Sequence, residues 1–208
     1  MTFDRKAHWE TVYREKSPSD VSWYQELPSA SLEFIRSAQV SSDELIVDIG
    51  GGASRLVDCL TEEGYTNVTV LDISGQALAC AKARLGVLAE QIDWCELDVT
   101  QYETSQPVSL WHDRALFHFL TEESDRNKYI TALQQSLKVG GHLIIAGFAI
   151  GGPTRCSGLD TVQHDAMGLM GRLGPGFELL EEKHEAHLTP AKKKQEFSYF
   201  HFVRRSSD

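Results

Sequence analysis

The stretch LIVDIGGGASRL, residues 45–56, decides the fold class of this chain. Ile46, Val47 and Ile49 form the short β-branched run that is typical of a strand covered on both faces. Three glycines follow, and they allow the backbone to turn tightly and to approach a ligand closely. With a helix starting near Leu56, this pattern predicts a binding site for a nucleotide-like cofactor.

The residues around the glycines argue against a dinucleotide. A dinucleotide site needs a third glycine for close packing of helix and strand, and it holds a pyrophosphate at the helix N-terminus. Arg55 occupies that third position. Asp48 would place a carboxylate near anionic phosphates, and such a like-charge contact is unfavourable in a partly desolvated cleft. S-adenosylmethionine, which is cationic and carries no phosphate, fits these residues better.

Two more predicted strands end in acids. Residues 68–72 are predicted to form a second strand ending at Asp72, about 20 residues beyond the glycines, a distance that suits a carboxylate gripping both ribose hydroxyls. Residues 92–99 are predicted to form a third strand ending at the acid Asp98. Loop solvation would explain any one of these acids. It does not explain three acids in register with a triple glycine.

This pattern resembles the class I (Rossmann-like) S-adenosylmethionine-dependent methyltransferases, most closely over residues 40–150. The resemblance implies an α/β fold: a doubly wound, mostly parallel seven-stranded sheet of order 3-2-1-4-5-7-6, with the last strand antiparallel and helices on both faces. It implies S-adenosyl-L-methionine as cofactor and S-adenosyl-L-homocysteine as product. The glycines would line the methionine end, Asp72 would hold the ribose, and Asp98 with Val99 would face the adenine. The full set of implied cofactor contacts is Trp23, Asp48, Gly50, Gly51, Gly52, Asp72, Ile73, Asp98, Val99 and Trp111.

The 208 residues are predicted to form a single methyltransferase domain. Residues 1–40 would be a helical and aromatic lid, residues 41–150 the cofactor-binding core, and residues 151–208 a substrate-facing loop with the C-terminal strands. Trp23 and Tyr24 precede the first strand, as does the aromatic loop that closes over the sulfonium in small methyltransferases, where water exclusion and cation–π contact help. The alternative is that these rings only fill a hydrophobic gap.

The best catalytic candidates lie at the end of the predicted fourth strand, residues 108–113, and in the segment that follows it. Ligands bind beyond the carboxyl ends of the strands in open α/β sheets, and the resemblance makes this segment the family's fourth motif, between the methyl group and the acceptor. Asp113 and His118 are therefore candidates to orient or deprotonate the acceptor. His118, among Leu116, Phe117 and Phe119, could instead be a hydrogen-bonded core residue.

The acceptor is expected to meet Tyr24 and residues of the C-terminal third: Arg155, Cys156 and His187. Cys156 has no visible base partner, so we expect a substrate-loop role rather than nucleophilic catalysis. The four cysteines lack CxxC spacing and are expected to be reduced. No metal is expected, since the eight histidines include no HExxH pair.

The composition of the chain argues against nucleic acids and membranes as partners. The net charge of −10 disfavours a nucleic-acid surface, because binding phosphates relies on clustered Lys and Arg and the one dense run is residues 192–194. With no signal peptide and no membrane-length apolar run in the sequence, we expect a cytoplasmic protein without membrane contact. A monomer or a homodimer is expected.

The predicted function is methyl transfer by in-line displacement to a nucleophilic acceptor. We expect this acceptor to be a small molecule, because the sequence shows no added recognition domain. A protein acceptor such as lysine is the alternative. Two other classes stay open at this point: an NAD(P)-dependent oxidoreductase, which Arg55 and Asp48 count against, and a non-catalytic module that binds S-adenosylmethionine.

Overall fold

Seven strands form one mixed sheet at the centre of the structure, a computed structural model that describes residues 3–206. Its strands are β1 Ile46–Ile49, β2 Val68–Asp72, β3 Asp93–Glu96, β4 Val108–Arg114, β5 Leu137–Phe148, β8 Phe177–Leu188 and β9 Lys194–Arg204. Two short strands, β6 Arg155–Cys156 and β7 Leu159–Asp160, pair separately as a hairpin. The ends of the predicted domain, residues 1–2 and 207–208, lie outside the described residues.

The strand order is β3-β2-β1-β4-β5-β9-β8. β1 to β5 pair in parallel, and β9 is antiparallel to both of its neighbours. When the separate hairpin is left out, this order is the predicted 3-2-1-4-5-7-6. The predicted fold class is therefore confirmed.

Helices cover both faces of the sheet, and each face has its own core. The helices are α1 Arg5–Glu15, α2 Ser29–Ser37, α3 Leu56–Glu62, α4 Gly75–Leu85, α5 Glu123–Ser136 and α6 Ala166–Leu173. Phe34 of α2 and Leu60 of α3 belong to one apolar cluster, whereas Tyr129 of α5 and Leu169 of α6 belong to the other. β1 is buried along its whole length because both faces are covered, as its apolar run predicts.

The alternation of side chains along β4 decides which residues can face a ligand. Leu110 packs in the α2 and α3 cluster, and Trp111 packs in the α5 and α6 cluster. Because successive side chains of a strand point to opposite faces, His112 and Arg114 share the side of Leu110, and Asp113 shares the side of Trp111.

Some predicted boundaries are wrong. β3 ends at Glu96, and Asp98 instead accepts the N–H of Thr100 at 2.9 Å to begin a 3₁₀ turn, Val99–Gln101. Short polar side chains compete with the strand ladder in this way, which explains the early stop. The β6–β7 hairpin was not predicted. Within residues 3–206, no helix is long and apolar enough to cross a membrane.

Tyr129 joins two residues of β4 in the buried core. Its hydroxyl donates to Asp113 Oδ2 at 2.8 Å and accepts from Trp111 Nε1 at 2.9 Å. Replacing Tyr129 by Phe leaves the Trp111 N–H without this acceptor, so we expect the free energy of unfolding to fall by about 1–3 kcal/mol. Urea denaturation measures the change. In the control variant Tyr65→Phe, where the ring is partly exposed, the change should stay within about 0.5 kcal/mol. Equal losses of stability in the two variants would contradict the role of the buried Tyr129 hydroxyl.

Candidate functional site

Two adjoining cavities lie at the carboxyl ends of β1, β2 and β4. The first cavity is bordered by Asp72 and by residues 97–99. The second cavity is bordered by Asp48, Ser31 and His112. Of residues 3–206, four line both cavities and are referred to below as the junction: Tyr13, Trp23, Gly50 and Arg114. The cavities are thus two halves of one site that meet at the junction.

The glycine turn is packed so closely that no side chain fits. Gly50 and Gly52 have φ angles of +67° and +44°. A Cβ on Gly51 would lie 2.4 Å from Asp48 Oδ2, and one on Gly52 would lie 2.6 Å from Asp72 Oδ2. Only glycine tolerates both the conformation and the contact. The turn therefore holds two buried carboxylates against the backbone.

Asp72 presents a buried carboxyl group to the first cavity. One oxygen accepts the N–H of Ser74 at 2.8 Å, and burial raises the pKa of this carboxyl to about 7. A carboxylate so poorly compensated is stabilised by further hydrogen-bond donors. A ribose supplies two adjacent hydroxyls as donors, so this end of the site fits an adenosine.

A row of buried polar groups borders the second cavity. Asp48 Oδ1 lies 2.7 Å from Nδ1 of His112, and Nε2 of His112 lies 2.9 Å from the hydroxyl of Ser31. With Nδ1 donating to the carboxylate, Nε2 accepts from the serine. Both ring nitrogens are engaged, so His112 links β1, β4 and α2 and has no nitrogen free for a ligand.

Arg114 follows His112 by two residues and reaches the junction from the same side of β4. Its Nε donates to the Tyr199 hydroxyl at 2.7 Å, and its Nη1 donates to the Trp23 carbonyl at 2.9 Å. Nη2 lies 3.8 Å from a carboxylate oxygen of Glu185. Arg114 is not among the predicted site residues. The sequence did contain an indication of this role. Arg114 ends a buried strand and lies two residues after the polar His112, so both side chains point to the same face, toward the cleft.

Aromatic rings from the N-terminal segment cover the first cavity. The ring of Trp9 lies 5.7 Å from that of Trp23 and 5.0 Å from that of Phe119, and Tyr13 lies 6.4 Å from Trp23, between ring centroids. All four residues line this cavity. Electron-rich ring faces attract a cation such as a sulfonium. The cover therefore suits a cationic ligand.

Polar contacts fasten α1 over the site. Glu10 accepts the N–H of Gly75 at 2.7 Å, at the N-terminus of α4, where the helix dipole favours a carboxylate. Lys6 pairs with Glu96 at 2.5 Å, and Arg5 lies 3.8 Å from Asp98. The helix is thus held at several points beside the ends of β2 and β3.

Most of the predicted cofactor residues lie together at the cavities. Those that line them are Trp23, Asp48, Gly50, Gly51, Asp72, Ile73, Asp98 and Val99. Gly52 stands behind the turn, against Asp72. Trp111 is fully buried on the other face of β4, where it donates to Tyr129, and it borders neither cavity in the part of the chain that the structure describes.

Asp113 and His118, the predicted acid–base pair, border neither of the two cavities as described for residues 3–206. Asp113 accepts the backbone N–H groups of Leu116 and Phe117, besides the hydroxyl of Tyr129, and burial raises its pKa to about 6. His118 stacks on Phe148, and burial lowers its pKa to about 3. Their role as bases stays a prediction that lacks a contact with the site.

Of the four residues predicted to meet the acceptor, one lines the site and three lie outside its lining. Tyr24 lines the second cavity. Cys156 Sγ lies 3.7 Å from the hydroxyl of Ser22, His187 Nε2 lies 2.7 Å from the Ser22 carbonyl, and burial raises the pKa of the Cys156 thiol. These two side chains hold the segment next to Trp23. Arg155 is exposed in the hairpin, where it pairs with Asp160 at 3.1 Å.

The comparison with protein families agrees with this geometry. A family described as "Methyltransferase domain" matches residues 46–141, which contain the glycine turn, Asp72 and β4. Together with the sheet order, this match decides the class of activity. The chain is an S-adenosylmethionine-dependent methyltransferase with the Rossmann-like fold of class I. The predicted family, activity class and cofactor are thereby confirmed.

Relatives of this methyltransferase are distant in sequence. It is 24% identical over 194 residues to EEF1A lysine methyltransferase 2 of Homo sapiens, covering 85% of the chain and 75% of that protein. A SAM-dependent methyltransferase from Anabaena variabilis ATCC 29413 has the same fold, with a TM-score of 0.78, 15% identity and coverage of 98% and 96%.

The fold is also that of 1,6-didemethyltoxoflavin-N1-methyltransferase from Burkholderia thailandensis, with a TM-score of 0.72 and 14% identity, covering 97% of this chain and 87% of that chain. That structure holds S-adenosylhomocysteine. Within residues 3–206, no three His, Cys, Asp or Glu side chains are grouped so that they could hold a metal ion.

The close contact at Gly52 predicts a binding defect. A methyl group there would meet Asp72 Oδ2 at 2.6 Å in a backbone conformation that disfavours it, so Gly52→Ala should weaken S-adenosylhomocysteine binding by about tenfold or more. Isothermal titration calorimetry measures the affinity. In the control Gly171→Ala, a Cβ meets nothing within 4 Å and affinity should be unchanged. Unaltered binding by Gly52→Ala would contradict the close contact.

The raised pKa of Asp72 predicts pH-dependent cofactor binding. Ribose hydroxyls need the ionised carboxylate as acceptor. Because the pKa of Asp72 is about 7 in the free protein, this group is mostly protonated at a pH below 7. Binding must then remove a proton, so the affinity for S-adenosylhomocysteine should be about tenfold lower at pH 6 than at pH 8. Titrations of the wild type and of Asp72→Asn test this. The variant should bind weakly at both pH values, and the same pH slope in both proteins would assign the effect to another group.

Proposed function

We propose that this methyltransferase modifies a small molecule, held at the junction beneath the N-terminal segment. One observation carries the proposal: Tyr13 and Trp23, both from this segment, line both cavities. The cover over the reacting centre is therefore part of the domain itself, and it is fastened through Glu10, Lys6 and Arg5. A small acceptor can be enclosed with it and shielded from water.

In this proposal the two cavities divide the cofactor. Asp72 accepts hydrogen bonds from the ribose in the first cavity, with Ile73, Asp98 and Val99 beside the adenine. Asp48 and the turn at Gly50 and Gly51 border the methionine part in the second cavity. Trp23 faces the sulfonium at the junction, where its ring stabilises positive charge. The support is that these residues line the corresponding cavities.

The cofactor supplies an electrophilic methyl group on a positively charged sulfur. The residues of the chain mainly have to hold the acceptor atom in line with that group, at roughly 3–3.5 Å. We assign Asp113 a positioning role, because it fixes the backbone at Leu116 and Phe117. Leu116 and Phe119 of that segment line the first cavity, so Asp113 acts on the site through them.

A lysine side chain on a protein is the second candidate. The relative EEF1A lysine methyltransferase 2 is named for this kind of acceptor. In addition, an open groove lined by His187, Leu188 and Pro190 shares Tyr24 and Gln25 with the second cavity. A protein surface resting on this groove could present a side chain toward the junction.

Labelling of an extract separates the two candidates. The purified protein is incubated with methyl-labelled S-adenosylmethionine and either intact or desalted cell extract, and the label is separated by molecular size. We expect counts among small molecules, and only with the intact extract. A discrete labelled protein band in both extracts would replace the small acceptor by a protein.

Two variants control the labelling. Asp72→Ala should abolish transfer, since the ribose loses its acceptor. Asp93→Ala removes an exposed carboxylate from β3 and should leave transfer unchanged. Equal transfer by both variants would show that the label does not depend on the proposed site.

A further inference from the structure

The fold leaves one nitrogen of Arg114 unsatisfied. Nε and Nη1 donate to Tyr199 and to the Trp23 carbonyl, whereas Nη2 is buried and makes no hydrogen bond within the described residues. The side chain is 9% exposed. A buried donor without a partner is unfavourable, and here it belongs to a residue that lines both cavities. The site therefore offers a charged donor to a ligand at the junction.

The charge of Arg114 constrains what that ligand can be. In the proposed function, the sulfur that joins the adenosine and methionine parts lies where the cavities meet, so a guanidinium and a sulfonium face the same space. Arginine stays protonated in proteins. Glu185 offsets this charge only in part, because it lies 3.8 Å from Nη2 and makes no hydrogen bond with it. Its oxygens instead accept from Gln25 at 3.0 Å and from Tyr199 at 3.1 Å. Two cations in a partly desolvated space repel each other unless an anion lies between them.

His112 and Asp113, the two residues of β4 that could deprotonate an acceptor, are engaged elsewhere. His112 is held on both nitrogens by Asp48 and Ser31. Asp113 points to the opposite face of β4 and accepts three hydrogen bonds from Leu116, Phe117 and Tyr129. A protonated amine would have to lose its proton beside two cations. An acceptor that is already an anion needs no base.

We infer that the acceptor is an anion at its reacting atom, a carboxylate or a thiolate, and that Nη2 of Arg114 is the group that selects it. This inference rests on the proposed function and names its substrate class. A lone pair of the acceptor oxygen or sulfur forms the new bond to the methyl carbon as the carbon–sulfur bond breaks, and the electron pair of that bond stays on sulfur. The anion and the sulfonium both become neutral. No proton is transferred.

The charge placement is tested without any acceptor, by comparing cofactor with product. S-adenosylmethionine is positively charged at sulfur and S-adenosylhomocysteine is not. The dissociation constant of S-adenosylmethionine divided by that of S-adenosylhomocysteine therefore reports the charge around the sulfur. Calorimetric titration of the wild type should give weaker binding of S-adenosylmethionine. Arg114→Met should reduce the ratio by about threefold or more, and Arg114→Lys, which keeps the charge, should leave it near the wild-type value.

Glu185→Gln provides a variant with the opposite expected sign. It removes the partial counter-charge, so the ratio should rise above the wild-type value. This arm remains informative if Arg114→Met fails to fold. A ratio that is unchanged in Glu185→Gln, or unchanged in a folded Arg114→Met protein, would overturn the inference.

The chemistry of the labelled product tests the acceptor class itself. A methyl ester releases its label as methanol in alkali, whereas a methyl thioether keeps the label in alkali but is converted to a more polar sulfoxide by mild peroxide. Either result supports the inference. A small product whose label survives both treatments is an N-methyl compound or a methyl ether, and it would overturn the inference while the proposed small acceptor stands. Label on a protein would instead contradict the proposed function.

Discussion

The site depends on one close contact, that of the glycine turn with two buried carboxylates. Cβ atoms on Gly51 and Gly52 would collide with Asp48 and Asp72, so the absence of side chains sets how near the two acids come to the turn. This contact places one acid in each cavity. Burial without full compensation raises the pKa of Asp72, and the donors of a ribose would stabilise the ionised form of that carboxyl group. Sheet, turn and cofactor preference thus follow from the same packing.

Local sequence patterns could predict this part of the molecule, because every residue involved lies at the end of a strand. The apolar runs, the glycines and the acids that follow them are separated by short, regular intervals, and strand order follows from the family resemblance. The boundary of β3 was less predictable. Asp98 uses its side chain to turn the backbone at Thr100, and a carboxylate that caps a turn cannot be told by pattern from one that ends a strand.

The catalytic assignments were harder, since they depend on which way single side chains point. Asp113 and Arg114 are neighbours in sequence, yet one is buried with Tyr129 and the other reaches the junction. The partners of Arg114 are 85 and 91 residues away, at Tyr199 and Trp23, and only the folded chain shows them. The same holds for the lid. The aromatic face of α1 is readable from spacing, whereas the docking of Glu10 on Gly75 is not.

A guanidinium beside a sulfonium helps to bind an anionic acceptor but also lowers the nucleophilicity of that acceptor. The number of hydrogen bonds that the guanidinium donates decides which effect is larger. A carboxylate gripped by two nitrogens of an arginine would be held firmly, but its lone pairs would be less nucleophilic. In this protein Nε and Nη1 already donate to Tyr199 and to the Trp23 carbonyl, and Nη2 is the nitrogen without a partner in the described residues. One contact is enough to orient an acceptor between two positive charges and leaves its other lone pairs free to attack. Because binding energy accelerates a reaction only when it favours the transition state over the ground state, a single contact suits this chemistry better than a fork.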